Sequence, residues 1–256
     1  MKTITSKESF DILIKDALHP FSGWDFSHTK TRIVMEPLTW SYHSEILPFV
    51  RTVETMLDMG TGGGEFLSSL RPLPKETFAT EAYEPNVPVA KKKLEPVGVK
   101  VVQIDESGKL PFKNEQFELI INRHEYYLPT ELNRILKPDG MFITQQVGWK
   151  DNLDLNQRLG YPIEELEYLD WNLKKIAHDL EEAGFTVTKK LEGYPITRCF
   201  DIGAIVYYLK AIPWQIPEFS IEKYERNLWD MHLEILEKGF IDLTSHRMLI
   251  LSEKKQ

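Results

Sequence analysis

The stretch MLDMGTGGGEFLSSL, residues 56–70, places four glycines within five positions, between an apolar run and a segment with helical character. A glycine-rich turn from a strand into a helix presents backbone N–H groups to an anionic ligand group. Gly60, Gly62 and Gly64 have the spacing G-x-G-x-G. The dinucleotide pattern G-x-G-x-x-G would require a glycine at the position of Glu65, whose carboxylate would repel a pyrophosphate. The turn therefore predicts a ligand site and argues against a dinucleotide.

Strands and helices alternate outward from this turn. Runs rich in apolar and β-branched residues predict strands, and amphipathic runs predict helices. The predicted strands are residues 53–59, 77–84, 99–105, 117–123, 140–148, 185–193 and 244–254, and the predicted helices are residues 64–70, 87–96, 129–137, 167–185 and 223–239. This alternation favours parallel strands joined by right-handed crossovers. We therefore predict a Rossmann-like α/β fold with a seven-stranded, mostly parallel sheet and helices on both faces.

The segments that flank this alternation predict additions to a single domain of 256 residues, because no linker or internal repeat separates them from it. Residues 1–52 are expected to form a partly helical N-terminal cap, and residues 53–148 the ligand-binding core. Residues 193–240 are expected to form a late insertion. The flanking segments are rich in Trp, Tyr, Phe and Pro, which suits either a packing cap or a lid over a substrate.

Composition and charge narrow the class of protein. Hydrophobic residues make up 42% of the chain and charged residues 27%, which is typical of a globular protein. The longest apolar runs are far shorter than the roughly 20 residues that a membrane span requires, and no apolar signal core follows the N-terminus. A cytoplasmic location without membrane attachment is therefore expected. The net charge of −8 disfavours a nucleic acid as partner, and Cys199, the only cysteine, excludes an internal disulfide.

Acidic residues are expected at the carboxyl ends of three successive strands. Asp58 lies two residues before the first glycine, and Glu84 ends the second predicted strand. Asp105, followed directly by Glu106, ends the third. Parallel strands bring their carboxyl ends to one edge of the sheet, where ligands of open α/β folds bind. A carboxylate there can accept hydrogen bonds from both hydroxyls of a ribose. This edge favours a ligand with a ribose and a cationic centre over a dinucleotide phosphate.

Four motifs in this order resemble those of the class I S-adenosylmethionine-dependent methyltransferases. They are LDMGTGGGEFL (57–67), AYEPNVPVAKKKL (82–94), IDESGKLPFKNEQFELIINRHEYY (104–127) and ELNRILKPDGMFITQQVG (131–148). The resemblance covers residues 53–148. It departs from the family pattern at Asp139, where a second glycine is usual, and in the interval from Asp105 to Leu110, which is one residue longer than usual. The resemblance implies methyl transfer from S-adenosylmethionine, with a small molecule expected as the acceptor.

The resemblance also implies which residues hold the methionine part of the cofactor. Asp58 would orient its amino group, and Asn122 and Arg123 would contact the cofactor near its methyl group. The glycine loop would lie against the methionine chain through Gly60, Thr61, Gly62 and Gly64.

The remaining roles concern the adenosine part. By the same resemblance, Glu84 would bind the ribose, with Pro85 and Asn86 beside the adenine. Either Asp105 or Glu106 would meet the adenine amino group, and the longer interval after them leaves this choice open.

A general base is needed only if the acceptor arrives protonated. His124 is the candidate by position, because an imidazole titrates near neutral pH. A structural histidine that packs on the cofactor is the alternative interpretation. A metal-assisted reaction would need several carboxylates at the end of the fourth strand, where the chain offers only His124 and Glu125. We therefore expect no metal site.

Aromatic residues of the flanking segments are the candidates for an acceptor pocket, because ligand pockets are mostly apolar. They are Trp24, Trp40, Tyr42 and Trp214. Two other functions stay open at this point. One is an NAD(P)-dependent oxidoreductase or epimerase with a similar fold. The other is a methyltransferase-like domain that binds its ligand without catalysis, since a fold does not determine a function.

Overall fold

The structure, a computed structural model, describes residues 4–21, 26–105 and 107–256. In these ranges the α-helices are, in chain order, α1 (Ser6–Asp16), α2 (Tyr42–Val50), α3 (Glu65–Ser69), α4 (Val87–Leu94), α5 (Pro129–Ile135), α6 (Leu153–Leu159), α7 (Leu173–Glu182), α8 (Ile202–Ala211) and α9 (Ile221–Lys238). The strands are β1 (Ile33–Met35), β2 (Thr55–Met59), β3 (Glu76–Glu81), β4 (Lys100–Gln103), β5 (Phe117–Arg123), β6 (Leu136–Val147), β7 (Phe185–Gly193), β8 (Ile196–Cys199), β9 (Ile241–Thr244) and β10 (Arg247–Lys254).

These elements fall into two compact units. The first contains the described parts of residues 1–38, 149–169 and 194–246. The second contains the described parts of residues 39–148, 170–193 and 247–256. The region predicted as the ligand-binding core lies wholly in the second unit, whereas most of the predicted cap and insertion belongs to the first.

A seven-stranded sheet forms the centre of the second unit, in the order β4-β3-β2-β5-β6-β10-β7. The first five strands of this order pair in parallel, and β10 runs antiparallel to both of its neighbours. The predicted seven-stranded, mostly parallel Rossmann-like sheet is therefore confirmed. The chain order reverses at β2, which lies between β3 and β5, and open sheets of this kind bind ligands at such a switch point.

Helices cover both faces of this sheet because its central strands are apolar on both faces. On β5, Ile120 joins a buried cluster that includes α5 and α7, whereas Leu119 and Ile121 join a second cluster with α2, α3 and α4. On β6, Phe142 belongs to the first cluster and Ile143 to the second. Successive side chains of a strand point to opposite faces, so one apolar run fills two cores.

Two strands of this sheet end earlier than the sequence predicts. Strand β3 ends at Glu81 instead of residue 84, because a short 3-10 turn occupies Glu84–Asn86 with Pro85 in its first turn. Proline fixes its own φ at a value suited to the start of a helical turn. Strand β4 ends at Gln103 instead of residue 105. Both differences move a carboxylate that the sequence places at a strand end.

Three other boundaries also differ from the prediction. Helix α7 begins at Leu173 instead of residue 167, because the Asn172 side chain accepts a hydrogen bond of 3.0 Å from the Lys175 N–H and caps the helix there. Strand β6 begins at Leu136, which already pairs with Phe117, and the register then shifts across the turn before Met141. The strand predicted at 244–254 starts at Arg247.

In the first unit, α1, α6, α8 and α9 pack around one apolar core, which also takes in Cys199. Strands β1, β8 and β9 form a small antiparallel sheet in this unit. Across the described ranges, no helix combines the length and apolar character needed to cross a membrane.

Candidate active site

The connection between β2 and α3 forms a loop, residues 60–64, in which three glycines adopt the left-handed conformation. The φ angles are 66° at Gly60, 59° at Gly62 and 82° at Gly64. This conformation costs a residue with a Cβ atom about 1–2 kcal/mol. Between them, the Thr61 N–H donates a 2.9 Å hydrogen bond to the Thr80 carbonyl, which attaches the loop to the end of β3. The path of the backbone therefore explains why glycines stand here.

The space beside this loop differs from one glycine to the next. A Cβ atom at Gly60 would lie 2.6 Å from the Cβ of Glu125, and one at Gly64 would lie 2.7 Å from the Cγ of Leu94. A Cβ atom at Gly62 would have no described atom within 4 Å. Gly60 and Gly64 thus permit close packing by the chain, whereas Gly62 borders open space that a ligand can enter.

Asp58 lies in β2 two residues before the loop and is only 5% exposed. Burial is the main cause that raises the pKa of this carboxyl to about 7, and nearby Glu81 raises it further, while the Thr61 hydroxyl and Arg123 oppose the rise. The Thr61 oxygen lies nearby without reaching ordinary hydrogen-bond geometry. In the described part of the chain, no cation comes within salt-bridge distance of Asp58. A buried carboxylate without a counter-ion is costly, so the site suits a cationic ligand group.

Glu81, rather than Glu84, is the carboxylate at the end of the second parallel strand. One of its oxygens accepts a 2.7 Å hydrogen bond from the Gly62 N–H, and the other accepts one of 2.8 Å from the Tyr83 N–H. Burial raises the pKa of Glu81, and these N–H groups oppose the rise. Each oxygen keeps a lone pair for a further donor. Glu84 is exposed in the 3-10 turn, so the prediction that it ends this strand is wrong.

Three buried polar atoms in this region have no hydrogen-bond partner among the described residues: Thr61 Oγ1, Thr80 Oγ1 and Asn86 Nδ2. Asn86 lies close enough to Glu81 to lower the pKa of that carboxyl, and Pro85 beside it is exposed. Buried polar atoms are nearly always paired in folded proteins. Their lack of partners here indicates that a bound molecule or water completes the site.

Asp105 lies two residues beyond β4 and is exposed. Its side chain accepts hydrogen bonds from the hydroxyl and the N–H of Ser107, and these bonds lower its pKa. The expectation that Asp105 ends the third strand is therefore corrected, because the residue belongs to a turn. A contact with adenine stays a prediction. Glu106 and Trp24 lie outside the described residues.

Asn122 is fully buried in β5 and bonds to the chain itself. Its Oδ1 accepts hydrogen bonds from Gln146 Nε2 at 2.7 Å and from Thr144 Oγ1 at 3.1 Å, and its Nδ2 donates to the Glu125 carbonyl at 3.2 Å. Gln146 Nε2 also lies 3.2 Å from that carbonyl. The structure thus makes Asn122 a support for the segment after β5, and its contact with a cofactor near the methyl group stays a prediction.

Arg123 and His124, at the carboxyl end of β5, are both exposed. The guanidinium carbon of Arg123 lies 4.9 Å from the centre of the Phe66 ring. His124 adopts a φ of 68°, and its N–H donates a 2.9 Å hydrogen bond to the Gln145 carbonyl. Left-handed conformations are uncommon for residues other than glycine and cluster at functional sites.

The surroundings of His124 lower its pKa. Desolvation is the first cause, followed by the guanidinium groups of Arg247 and Arg123. Because His124 is exposed, water limits the desolvation, and the two positive charges lower the pKa beside it. All three causes act in the same direction. The imidazole is therefore neutral at pH 7 and is a weak base in this environment.

The structure separates the aromatic residues that the sequence groups together. Tyr42 is buried, donates a 2.9 Å hydrogen bond to the Asn122 carbonyl and stacks on Phe66, so it belongs to the core and not to an accessible pocket wall. Trp40 is half-buried, and its Nε1–H donates to Gln145 Oε1 at 3.0 Å. Trp214, in the first unit, is 50% exposed, and its role stays a prediction.

A parallel sheet with a glycine loop at its switch point and buried carboxylates beside that loop is the arrangement of a nucleoside-binding Rossmann-like domain. Residues 57–144 match a family model described as "Methyltransferase domain". The matched range runs from β2 to β6 and includes the glycine loop, Glu81 and His124. This part of the chain is therefore similar to a methyltransferase domain.

Solved structures share this fold. A putative methyltransferase from Bacillus halodurans is 20% identical, with a TM-score of 0.59 over 84% of this chain and 99% of that one. Phosphoethanolamine N-methyltransferase 2 of Haemonchus contortus, solved with S-adenosyl-L-methionine, is 16% identical, with a TM-score of 0.52 over 85% of this chain and 53% of that one. The cyclase SpnF is 12% identical, with a TM-score of 0.51 over 100% and 98%. A comparison with curated proteins found no match.

Sequence reasoning missed Glu81 and the support that Gln146 gives to the segment after β5. A signal for Glu81 exists in the sequence, since Pro85 marks the start of a helical turn and the strand must end before it. No comparable signal points to Gln146, because its partner Asn122 is 24 positions away along the chain.

Proposed function

We propose that this protein is an S-adenosylmethionine-dependent methyltransferase that acts on a small molecule. The observation that carries the proposal is the pair of buried carboxylates, Asp58 and Glu81, beside the glycine loop. Each carboxylate pairs with no cation in the described part of the chain, and Glu81 bonds directly to the loop. Such a pair suits a ligand that combines positive charge with a ribose, and an adenosyl sulfonium combines the two.

The residues of the site fit this cofactor. Asp58 would accept a hydrogen bond from its amino group, and the open space at Gly62 would admit its methionine chain. The remaining lone pairs of Glu81 would accept the ribose hydroxyls, the role that the sequence assigned to Glu84. The Asn86 amide and the Thr61 hydroxyl, which have no partner among the described residues, would gain one.

S-adenosylmethionine, when bound, supplies a methyl group attached to a positively charged sulfur. Once the methyl group has been transferred, this sulfur is part of a neutral thioether. The protein then needs mainly to align the acceptor and to exclude water. Asn122 and Gln146 would serve this alignment by holding the Glu125 carbonyl, which fixes the segment from Arg123 to Glu125. Of the flanking aromatic residues, Trp40 is proposed to cover the acceptor.

His124 remains the candidate residue for contact with the reacting group of the acceptor, but in these surroundings its role is restricted to hydrogen bonding. Its neutral imidazole can accept a hydrogen bond from an O–H or N–H of the acceptor and orient it. It is a poor proton acceptor beside the positive charges of Arg247 and Arg123.

Two other functions compete with this proposal. A dinucleotide would bring a pyrophosphate to the loop, where Glu65 stands in the first turn of α3 and pairs with Lys93, and that carboxylate disfavours it. The second competitor is a domain of this fold whose reaction is something other than methyl transfer. The fold of the cyclase SpnF favours it, because chemistry resides in the site and not in the fold.

Calorimetry with S-adenosylmethionine, S-adenosylhomocysteine and NAD tests the cofactor. We expect micromolar affinity for the first two and none for NAD. The reverse pattern would replace the proposal with the dinucleotide alternative. Tight binding combined with no label transfer from methyl-labelled cofactor in a broad acceptor screen would favour a domain that binds without catalysis, or a different reaction in the same fold.

A substitution at Gly62 tests the position of the methionine chain. Gly62→Ala and Gly98→Ala both place a methyl group on a left-handed residue with open space around it. We expect each to lower the free energy of unfolding by about 1 kcal/mol. Only Gly62→Ala should also weaken S-adenosylmethionine binding, by about tenfold or more, because its methyl group occupies the ligand space. Equal affinity of the two variants in calorimetry would place the cofactor elsewhere.

A further inference from the structure

Charged side chains of both signs lie along the carboxyl edge of the sheet. Asp58 on β2 and Glu81 on β3 make the side of the glycine loop negative. Arg123 ends β5, and Arg247 begins β10, which runs antiparallel to β6 and so starts at the same edge. The sheet order β3-β2-β5-β6-β10 therefore places the carboxylates at one side and the arginines at the other.

Of these two arginines, Arg123 is the one whose surroundings indicate an anionic ligand. Its side chain is exposed, and within the described part of the chain no carboxylate lies within salt-bridge distance of it. Its guanidinium rests on the Phe66 ring, a contact that leaves the N–H donors at its rim available. It attracts Asp58 from a distance without pairing with it. An arginine held on an aromatic face in this way is suited to bidentate binding of an anion.

We propose that the methyl acceptor is an anion, and that Arg123 binds its carboxylate or phosphate group. This inference rests on the proposed function. The cofactor's own carboxylate has the same chemistry and is the competing ligand for Arg123. The position of Arg123 favours the acceptor, because it ends β5, one strand away from the loop that follows β2.

Such binding would also change the chemistry at His124. The acceptor's negative charge would offset the two guanidinium groups that disfavour a protonated imidazole. In the transfer, a lone pair of the acceptor's O–H or N–H group forms a bond to the methyl carbon, and the carbon–sulfur bond breaks. The electron pair of that bond stays on sulfur, and the acceptor's proton passes to His124. An acceptor without the anionic group would leave His124 a weak base.

Calorimetry with inorganic phosphate as the probe tests this site, with the protein saturated with S-adenosylhomocysteine so that the cofactor's carboxylate is already in place. We expect the wild type to bind phosphate and Arg123→Gln to bind it about tenfold more weakly or worse. Arg123→Lys should recover part of the loss, because it restores the charge without the fork of N–H donors. Arg226→Gln is the matched control, since this arginine of α9 is 92% exposed and lies 3.9 Å from Asp230.

The same variants distinguish the outcomes. Wild-type affinity for S-adenosylhomocysteine in Arg123→Gln, together with the loss of phosphate binding, supports the proposal. A fall in cofactor affinity of about tenfold or more in that variant would assign Arg123 to the cofactor's carboxylate and overturn it. Equal phosphate binding by wild type and Arg123→Gln, or none by wild type, would also overturn it. Failure of the wild type to bind the cofactor would instead refute the proposed function.

Discussion

Glu81→Ala is expected to weaken S-adenosylmethionine binding by about 100-fold, whereas Glu84→Ala should change it by less than about threefold. Two hydrogen bonds from ribose hydroxyls to a carboxylate contribute about 3 kcal/mol together, which corresponds to a factor of roughly 100. Glu81 also holds the Gly62 N–H, so its removal frees the loop that the methionine chain contacts. Calorimetry on the three proteins, wild type and both variants, measures the difference.

Loss of folding in Glu81→Ala would imitate loss of binding, so a second variant is needed. Glu81→Gln keeps one carbonyl oxygen for an N–H donor but presents an NH₂ group to the other. We expect it to lower the free energy of unfolding by about 1–3 kcal/mol, a loss that a folded domain can tolerate. Strong binding by both Glu81 variants, with binding lost in Glu84→Ala, would show that Glu84 binds the ribose.

Asp58→Asn should stabilise the ligand-free protein at pH 8 and at the same time weaken S-adenosylmethionine binding by about 10- to 100-fold. Burial raises the pKa of Asp58 to about 7, and at pH 8 the folded protein therefore carries a buried negative charge. A pKa shift of this size corresponds to at most roughly 4 kcal/mol. We expect the neutral asparagine to recover about 1–3 kcal/mol of it, because water relieves part of the cost. The same substitution removes the partner of the cofactor's amino group.

The pH dependence provides the sharper test of this carboxylate. Its folded-state pKa lies above the unfolded value, so the folded protein holds the proton more tightly. The contribution of Asp58 to stability is fully present below about pH 4 and is lost as the pH rises through about 7. Thermal unfolding at pH 4 and pH 8 should show wild type and Asp58→Asn alike at the lower pH and different at the higher one. Glu81, whose pKa is also raised, titrates in both proteins, and its repulsion of the Asp58 carboxylate is part of the difference that the comparison measures.

Binding should follow the same titration. Because the cofactor's ammonium group favours the ionised carboxylate, affinity in the wild type should rise between about pH 6 and 7.5 and protons should be released on binding. Calorimetry in buffers of different ionisation enthalpy counts those protons. A binding curve that is flat with pH in the wild type, or an Asp58→Asn variant that binds normally, would show that Asp58 does not meet a cation.

The sequence predicted the strands and helices of the second unit well where local signals are strong. The run from Phe117 to Arg123 is a strand as predicted, and helix α4 ends at Leu94, close to the predicted limit. Prediction was weakest where a partner far along the chain decides the environment of a side chain. The sequence placed Tyr42 among the candidates for an acceptor pocket, yet its side chain is buried and its hydroxyl bonds to the carbonyl of Asn122, 80 positions later.

The amino-acid sequence by itself determined the order of elements, the parallel sheet and the glycine loop, because hydrophobic periodicity and the left-handed freedom of glycine act within a few residues. Only the tertiary structure decided which acidic residue reaches that loop. Glu81 meets the Gly62 N–H because β2 and β3 pair side by side, and Glu84 lies three residues beyond the end of β3. In the same way, Asn122 became a support because pairing of β5 with β6 brings Thr144 and Gln146 to it. Hydrogen-bond partners from neighbouring strands are set by sheet register, which no local pattern encodes.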